Sequence, residues 1–278
     1  MVEPSELSYS VGMSNTTYVA IREARGIIQD AQRIVVLTGA GMSAESGVPT
    51  FRDAQTGLWE KYSPEELATP EAMYNRPDLV WSWMLHQARV MRSVEPHDGH
   101  KVLGRWQREL VSNGGALDIV TQNIDDLHER GGSDVLAHLH GTTFTFRCFD
   151  CDAPSDYELD DPTDEQLQAT PALDQLMLED PPACPACSYG FIRPDIVMFG
   201  ELLPQQAMDN ALDAVRAADV AIVVGTSNIV QPAATLPLAA SAAGAQVIEI
   251  NPNQTPLSQD ADLYISGTAR NILPELHP

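Results

Sequence analysis

Lysine is nearly absent from this chain: of 16 basic residues in 278, only Lys61 and Lys101 are lysines. Acidic residues number 39, so the formal net charge is −23. A surface of that sign repels duplex DNA and anionic lipid, because both are bound by neutralising their phosphates with lysine and arginine. The composition therefore predicts no direct nucleic-acid partner and no membrane, whereas a cationic peptide would be attracted. An acid-rich, alanine-rich, lysine-poor chain also suits solubility in high salt; a merely acidic protein of an ordinary cytoplasm is the alternative.

Long apolar runs are missing too. No stretch reaches the ~18 uninterrupted apolar residues that span a bilayer, and the N-terminus lacks the basic-then-apolar pattern of a secretory signal, so a cytoplasmic location is expected. Hydrophobic residues make up 44% of the chain and charged residues 20%, which places it among folded globular proteins. Solvated chain is expected only in the first dozen residues and in the acidic stretch from Glu158 to Gln166. There are only four cysteines, and they fall as two close pairs, which in a reducing compartment read as metal chemistry before disulfides.

What is present alternates. An amphipathic helix is predicted over 15–32, followed by a continuous β-branched run over 34–40 of the kind buried in parallel sheets. Similar runs recur at 118–123, 220–226 and 246–251, with a weaker one at 262–267, and alanine-rich helical patterns lie near 205–217 and 233–243. This is the pattern of an α/β doubly wound parallel sheet. Two segments interrupt it. Residues 60–112, containing Trp81, Trp83 and Trp106 and following Trp59, read as an inserted helical module. Residues 142–194 hold all the cysteines and an acidic, proline-rich stretch, and read as a second module without a hydrophobic core of its own. The sheet domain is then assembled from 15–59, 113–141 and 195–278.

The run from Val35 to Asp53 carries Gly39, Gly41 and Ala44 directly after a predicted strand, in the spacing that lets backbone N–H groups approach a pyrophosphate. Strand-to-helix turns also use glycine merely to turn, so this signal alone leaves nucleotide binding and a structural turn equally open. The continuation through Ser46, Gly47 and Pro49 to Phe51 and Arg52 is too rich in glycine and proline for a regular helix and reads as a loop over a ligand. No acidic residue closes an obvious second strand about 20 residues on, where a dehydrogenase holds the adenosine ribose, which argues against simple hydride transfer.

Cys148-x-x-Cys151 and Cys184-x-x-Cys187 form two knuckle pairs. Four thiolates so arranged make a closed tetrahedral Zn²⁺ site, which staples a module lacking its own core. With every position occupied by sulfur, no water nucleophile can be generated there, so the expected zinc is structural. Residues 148–187 contain neither lysine nor arginine, so the module is not read as a nucleic-acid binder. Elsewhere Gln122, Asn123, Asp125 and His140 follow predicted strands and should gather where open α/β sheets bind ligands.

Taken together, GAGMSAESGVPTFR, TQNID, His140-Gly141, the two cysteine pairs, IVMFGE, GTS and INPN, in that order, resemble the sirtuins, NAD-dependent protein lysine deacylases. The SAESG and PTFR elements resemble the branch that includes desuccinylases. The resemblance implies a Rossmann-like NAD domain with a zinc-ribbon and a helical module. It implies that Gly39, Ala40, Gly41, Ala44, Pro49, Phe51 and Arg52 cradle NAD, and that Gln122, Asn123 and Asp125 line the nicotinamide ribose. Gly225, Thr226 and Ser227 would meet the phosphate and ribose, while Asn251, Pro252, Asn253 and Ala269 would lie on the adenosine side. Val197, Met198, Phe199, Gly200 and Glu201 would pair with the acyl-lysine protein substrate as an added strand. His140 would be the general base, with Asn123 beside it in the catalytic site, and the products would be nicotinamide, free lysine and O-acyl-ADP-ribose.

The chain departs from that branch at one place. Its tyrosine and arginine, three residues apart, recognise an acidic acyl group, and the flanking register puts Met84 and Gln87 there; a shift of one turn would offer His86 or Arg89 instead. A thioether donates no hydrogen bond and an amide carries no charge, so a neutral acyl group, from acetyl to butyryl or crotonyl, is expected. Mono-ADP-ribosyl transfer is the rival chemistry, and a non-catalytic NAD-sensing protein the rival class.

Overall fold

The computed structural model describes residues 14–49, 67–160 and 178–277. Phe51, Arg52 and Trp59, the first dozen residues and the acidic stretch beyond Asp160 lie outside them.

Helix α1 (Asn15–Gln29) starts at Ser14, whose side chain accepts from the Thr17 N–H at 3.1 Å, and buries Ala20, Ile21, Ala24 and Ile28. Strand β1 (Arg33–Thr38) follows, then a short helix α2 (Ala40–Ser43). Two longer helices, α3 (Pro70–Asn75) and α4 (Pro77–Ser93), lead to α5 (Asp98–Ser112) and β2 (Ala116–Thr121). After α6 (Leu127–Arg130) come β3 (Val135–His138), β4 (Gly141–Cys148), β5 (Pro154–Ser155) and β6 (Ile192–Ile196). The chain closes with α7 (Gln205–Ala217), β7 (Val220–Val224), α8 (Leu236–Ala243), β8 (Gln246–Asn251), β9 (Leu263–Ser266) and α9 (Ala269–Leu276).

Six strands form one parallel sheet in the order β3-β2-β1-β7-β8-β9. Both faces are covered, which is why its strands read as continuous apolar runs. Ile34 and Val36 point into a cluster completed by α1, α5 and α9, while Val35 and Leu37 point into a cluster with α7 and α8. At ~1.5–3 kcal/mol for each buried Val, Leu or Ile, these two layers supply most of the fold's driving force. Among the described residues, no helix is long and apolar enough to cross a membrane.

The structure differs from the expected organisation in three places. The strands stop short of the apolar runs: β1 ends at Thr38, β2 at Thr121 and β7 at Val224, and the residues left over become the loops of the site. Helix α5, grouped by sequence with the helical module, packs Val102, Leu103 and Trp106 into the sheet core. Leu159, assigned to a solvated stretch, is 7% exposed and sits in the apolar cluster of the cysteine module.

That module is a small antiparallel sheet, β5-β4-β6, which the sequence did not reveal as strands. Its apolar residues Phe146, Ile192 and Leu159 join Trp81, Trp83, Met84 and Leu85 of α4 in one cluster. Trp81 meets Phe146 and Tyr157 edge-on, at ring distances of 5.9 and 5.2 Å. The module thus borrows its core from the helices, in keeping with a segment too polar to build its own.

Candidate active site

The sheet's strand order reverses between β1 and β7, and the two loops leaving those strands meet there. Gly41 N–H donates to the Gly225 carbonyl at 2.8 Å and Gly39 N–H to that of Val224 at 3.1 Å. A Cβ on Gly41 would lie 2.7 Å from Gly225 Cα, and Gly225 adopts φ 62°, so the glycines are required first by loop-against-loop packing. Asn251, at the end of β8, ties in a third loop by donating from Nδ2 to the Thr226 carbonyl at 2.7 Å. Of the other predicted dinucleotide contacts, Ala40, Pro49, Pro252 and Asn253 are exposed, Ala44 and Ser227 are half-buried, and Ala269 opens α9 with its methyl in the core. Backbone amides and small polar groups converging at a topological switch point fit a dinucleotide.

A second set sits at the end of β2. Asn123 Nδ2 donates to Ser43 Oγ at 3.0 Å, and the Ser43 hydroxyl donates in turn to Asp125. Asn123 and Asp125 are 7% and 4% exposed, so this chain locks the glycine turn to the TQNID loop in a nearly dry setting. Burial pushes the Asp125 carboxyl up, against the pull of Ser43 and of the Leu127 N–H. Asn123 N–H is itself held by Thr121 Oγ1 at 3.0 Å. Ser43 and Thr121 were not singled out by sequence; a hydroxyl beside a glycine turn carries no signature until its partner is known.

His140 follows β3, and its Nδ1 lies 2.8 Å from the Gln122 carbonyl. A carbonyl only accepts, so Nδ1 carries the proton and Nε2 is left as the basic nitrogen. Burial lowers the His140 pKa below its ordinary value, and the Gln122 carbonyl only partly offsets this. The adjacent Gly141 has φ 71°, and a Cβ there would collide with the Asp195 carbonyl, so the β4–β6 pairing dictates glycine next to the histidine.

Beneath the site lies a row of buried imidazoles. His97 Nε2 donates to the Met42 carbonyl in the glycine turn at 2.7 Å, fixed by the Gly99 N–H on Nδ1. The His100 ring lies 4.2 Å from His97 and 5.1 Å from His128, and His128 Nε2 donates to Thr38 Oγ1 at 3.0 Å. Burial, reinforced by the neighbouring histidines, holds His100 down at about 2, while burial holds His128 at about 4, both from an ordinary 6.5. Below pH ~6.5 only the unfolded chain takes up these protons, so stability is full above that pH and falls as the pH drops towards the folded values. We expect a loss on the order of 5 kcal/mol by pH 4, read by calorimetry as a falling unfolding temperature. The fall should be shallower in a His100→Leu variant; an unchanged slope refutes the assignment.

In α4, Met84 is 3% exposed within the apolar cluster shared with the cysteine module, and Gln87 is half-buried one turn on. Arg89, the alternative one turn away, is half-buried as well. In the 197–201 run, Val197 N–H donates to the His140 carbonyl and Phe199 N–H to that of Ala68, both at 2.8 Å. Glu201 accepts from Met198 N–H at 2.8 Å and from the buried Arg193 at 2.6 and 3.0 Å, which holds its carboxyl below the usual range despite burial. Gly200 and Phe199 are exposed.

The four cysteine sulfurs lie within 4.8 Å of one another, with Cys148–Cys187 at 3.8 Å and Cys151–Cys184 at 3.9 Å. A tetrahedron with Zn–S bonds of ~2.3 Å has edges of about 3.8 Å. Backbone N–H groups of Asp150, Cys151, Ala186 and Gly190 donate to the sulfurs at 3.3–3.4 Å, as suits thiolate ligands. The residues fit one structural zinc.

A model of the Sir2 family matches residues 39–232. The NAD-dependent protein deacylase of Mycobacterium tuberculosis (strain ATCC 25618 / H37Rv) is 46% identical over 245 residues, covering 88% of this chain and 96% of its own length. The NAD-dependent protein deacylase Sir2 of Mycolicibacterium smegmatis is 47% identical over 244 residues, covering 88% and 95%. Among solved structures, a Sir2 homolog–NAD complex superposes with a TM-score of 0.79 at 40% identity, over 92% of this chain and 91% of that one.

Proposed function

The chain belongs to the Sir2 family, and we infer from its site that it removes neutral acyl groups from lysine side chains of proteins, with NAD as co-substrate. The observation that carries this reading is His140, whose Nδ1–H on the Gln122 carbonyl leaves Nε2 free to take a proton. The loops at Gly39–Ala44, Gly225–Ser227 and Asn251–Asn253 hold the dinucleotide. NAD supplies the electrophilic ribose carbon; the protein's part is to orient it, exclude water and receive the ribose hydroxyl proton at His140. Asn123 and Asp125, locked through Ser43, fix the wall against which the nicotinamide ribose rests. Phe51 and Arg52 would complete the cradle from outside the described residues.

The substrate lies along 197–201. Four of that run's N–H groups, those of Val197, Met198, Phe199 and Glu201, are committed within the chain, so an added strand is held mainly by donating its own N–H groups to carbonyls the run leaves free. Glu201 serves as an internal brace for Arg193, not as a contact for the peptide.

Met84 and Gln87 line the acyl end. A succinyl carboxylate buried against a thioether and an amide goes unpaired, at a cost of several kcal/mol. We expect acetyl and butyryl peptides to be processed at least ~100-fold better than succinyl, in kcat/KM. Mass spectrometry of one peptide carrying each acyl group, with and without NAD and in low and molar salt, tests this. Met84→Tyr with Gln87→Arg should invert the preference. Rapid succinyl removal by the unaltered protein overturns the pocket, and NAD-dependent labelling of protein without deacylation would replace deacylation by ADP-ribosyl transfer.

A further inference from the structure

Strand β8 reads Val-Ile-Glu-Ile-Asn, and its acid, Glu249, is completely buried. Among the described residues no lysine, arginine or histidine pairs with it. A buried carboxylate is held either by a cation or by several hydrogen-bond donors. Here the donors come from two loops. Asn228 Nδ2 reaches Glu249 Oε1 at 3.1 Å, Thr255 Oγ1 donates to the same oxygen, and Ser258 Oγ donates to Oε2. Asn228 sits in the left-handed region at φ 53° and accepts from Thr226 Oγ1 at 2.7 Å. On the other side, Ser258 Oγ accepts from Thr255 N–H at 2.9 Å, which closes a capping box on the turn Pro256–Gln259.

The consequence is geometric. Thr226 and Ser227 belong to the loop after β7, and Asn251 ends β8 and leads into the loop of Pro252 and Asn253. Each loop is exposed on its outer side, and each is fastened on its inner side to this one carboxylate. The Asn251–Thr226 bond fastens them to each other as well. Thr226, 5% exposed, cannot shift without breaking a bond in a nearly dry setting, and Asn251 is tied to it by their shared bond.

We propose that Glu249 is a positioning residue of the NAD site, fixing the Thr226–Ser227 and Asn251–Asn253 loops in a binding-ready arrangement through Asn228, Thr255 and Ser258. The inference rests on the NAD-binding reading above. Its substrate is the adenosine and phosphate half of NAD, so it acts on affinity for the dinucleotide and not on the chemical step or the peptide.

The test compares Glu249→Ala, Glu249→Gln and Asn228→Gly with the unaltered protein, by calorimetric NAD titration and by deacylation kinetics with each substrate varied. Glutamine keeps an acceptor for Asn228 and Thr255, and its amide can donate to Ser258. Glycine at 228 suits φ 53° while deleting the side-chain bonds to Thr226, Glu249 and Thr255. Expected is a rise of at least tenfold in Kd and KM for NAD in Glu249→Ala, near-normal values in Glu249→Gln, and a several-fold rise in Asn228→Gly. The peptide KM and the kcat at saturating NAD should stay within about threefold. If Glu249→Ala does not fold, Asn228→Gly decides. Unchanged NAD affinity in the folded variants, or losses spread equally over NAD and peptide, overturns the proposal while leaving the NAD reading intact. Failure of the unaltered protein to bind NAD overturns both.

Discussion

With His140 replaced by alanine, turnover of an acetyl-lysine peptide falls by about a hundred- to ten-thousand-fold, the range a positioned general base contributes. The unfolding temperature stays close to that of the unaltered protein, because the ring is only half-buried and its single hydrogen bond goes to a carbonyl at a loop edge. The pH profile separates this role from a merely structural one. A base works when neutral, and burial lowers the His140 pKa from 6.5, so the midpoint of the unaltered enzyme's acid limb lies below that of a free imidazole, and the rate falls as the pH drops through the lowered value. His140→Ala has no such acid limb. His140→Gln sharpens the test, since its amide donates to the Gln122 carbonyl and preserves the contact, yet it cannot take a proton. Activity retained in His140→Gln would remove the histidine from the chemistry.

Stripping the metal has the larger effect on folding. Structural zinc in small modules contributes roughly 10–16 kcal/mol of apparent binding energy, more than the whole stability of a typical domain. Cys148 and Cys184 are 0% and 3% exposed and belong to the same apolar cluster as Trp81, Trp83 and Met84. Two thiolates buried in that cluster, with two more at its edge and all within 4.8 Å of one another, repel strongly unless the ion is bound. A strong chelator, or any single cysteine-to-serine change, is therefore expected to collapse the antiparallel sheet, loosen α4 and abolish deacylation. The parallel sheet, whose two cores contain none of these residues, should keep its secondary structure. Metal analysis should give one zinc per chain. Full activity after complete removal would show the cysteines to be dispensable.

Much of this was legible in the sequence, for identifiable reasons. Parallel strands announce themselves because both faces are buried, and the paired cysteine knuckles have few uses other than zinc. The antiparallel strands did not, since their core lies in another segment: Phe146 and Ile192 alternate with polar residues and gain their apolar neighbours only from α4. For the same reason Leu159 looked solvated. The motif residues Gly41, Asn123 and His140 stand out by type and spacing, whereas Ser43 and Thr121 matter through partners about 80 residues away, a distance no local pattern encodes. Glu249 did carry a signal. An acid in the centre of an apolar strand must be paid for by donors, though which loops supply them is decided only by the fold.

The order of the strands also bears on how the chain is made. β1 lies between β2 and β7, and Ile34 pairs with Leu117 on one side and with Val220 on the other. Translation at 5–20 residues per second delivers β7 about 5–20 s after β2. Through that interval a half-built sheet carries an open edge with four consecutive apolar residues, Ile34 to Leu37, the kind of edge on which other chains nucleate. Gly225, which completes the glycine turn, arrives directly after β7. A nascent chain therefore has no dinucleotide site to be rescued by its ligand until the last third has emerged, and fragments ending before residue 220 belong to chaperones.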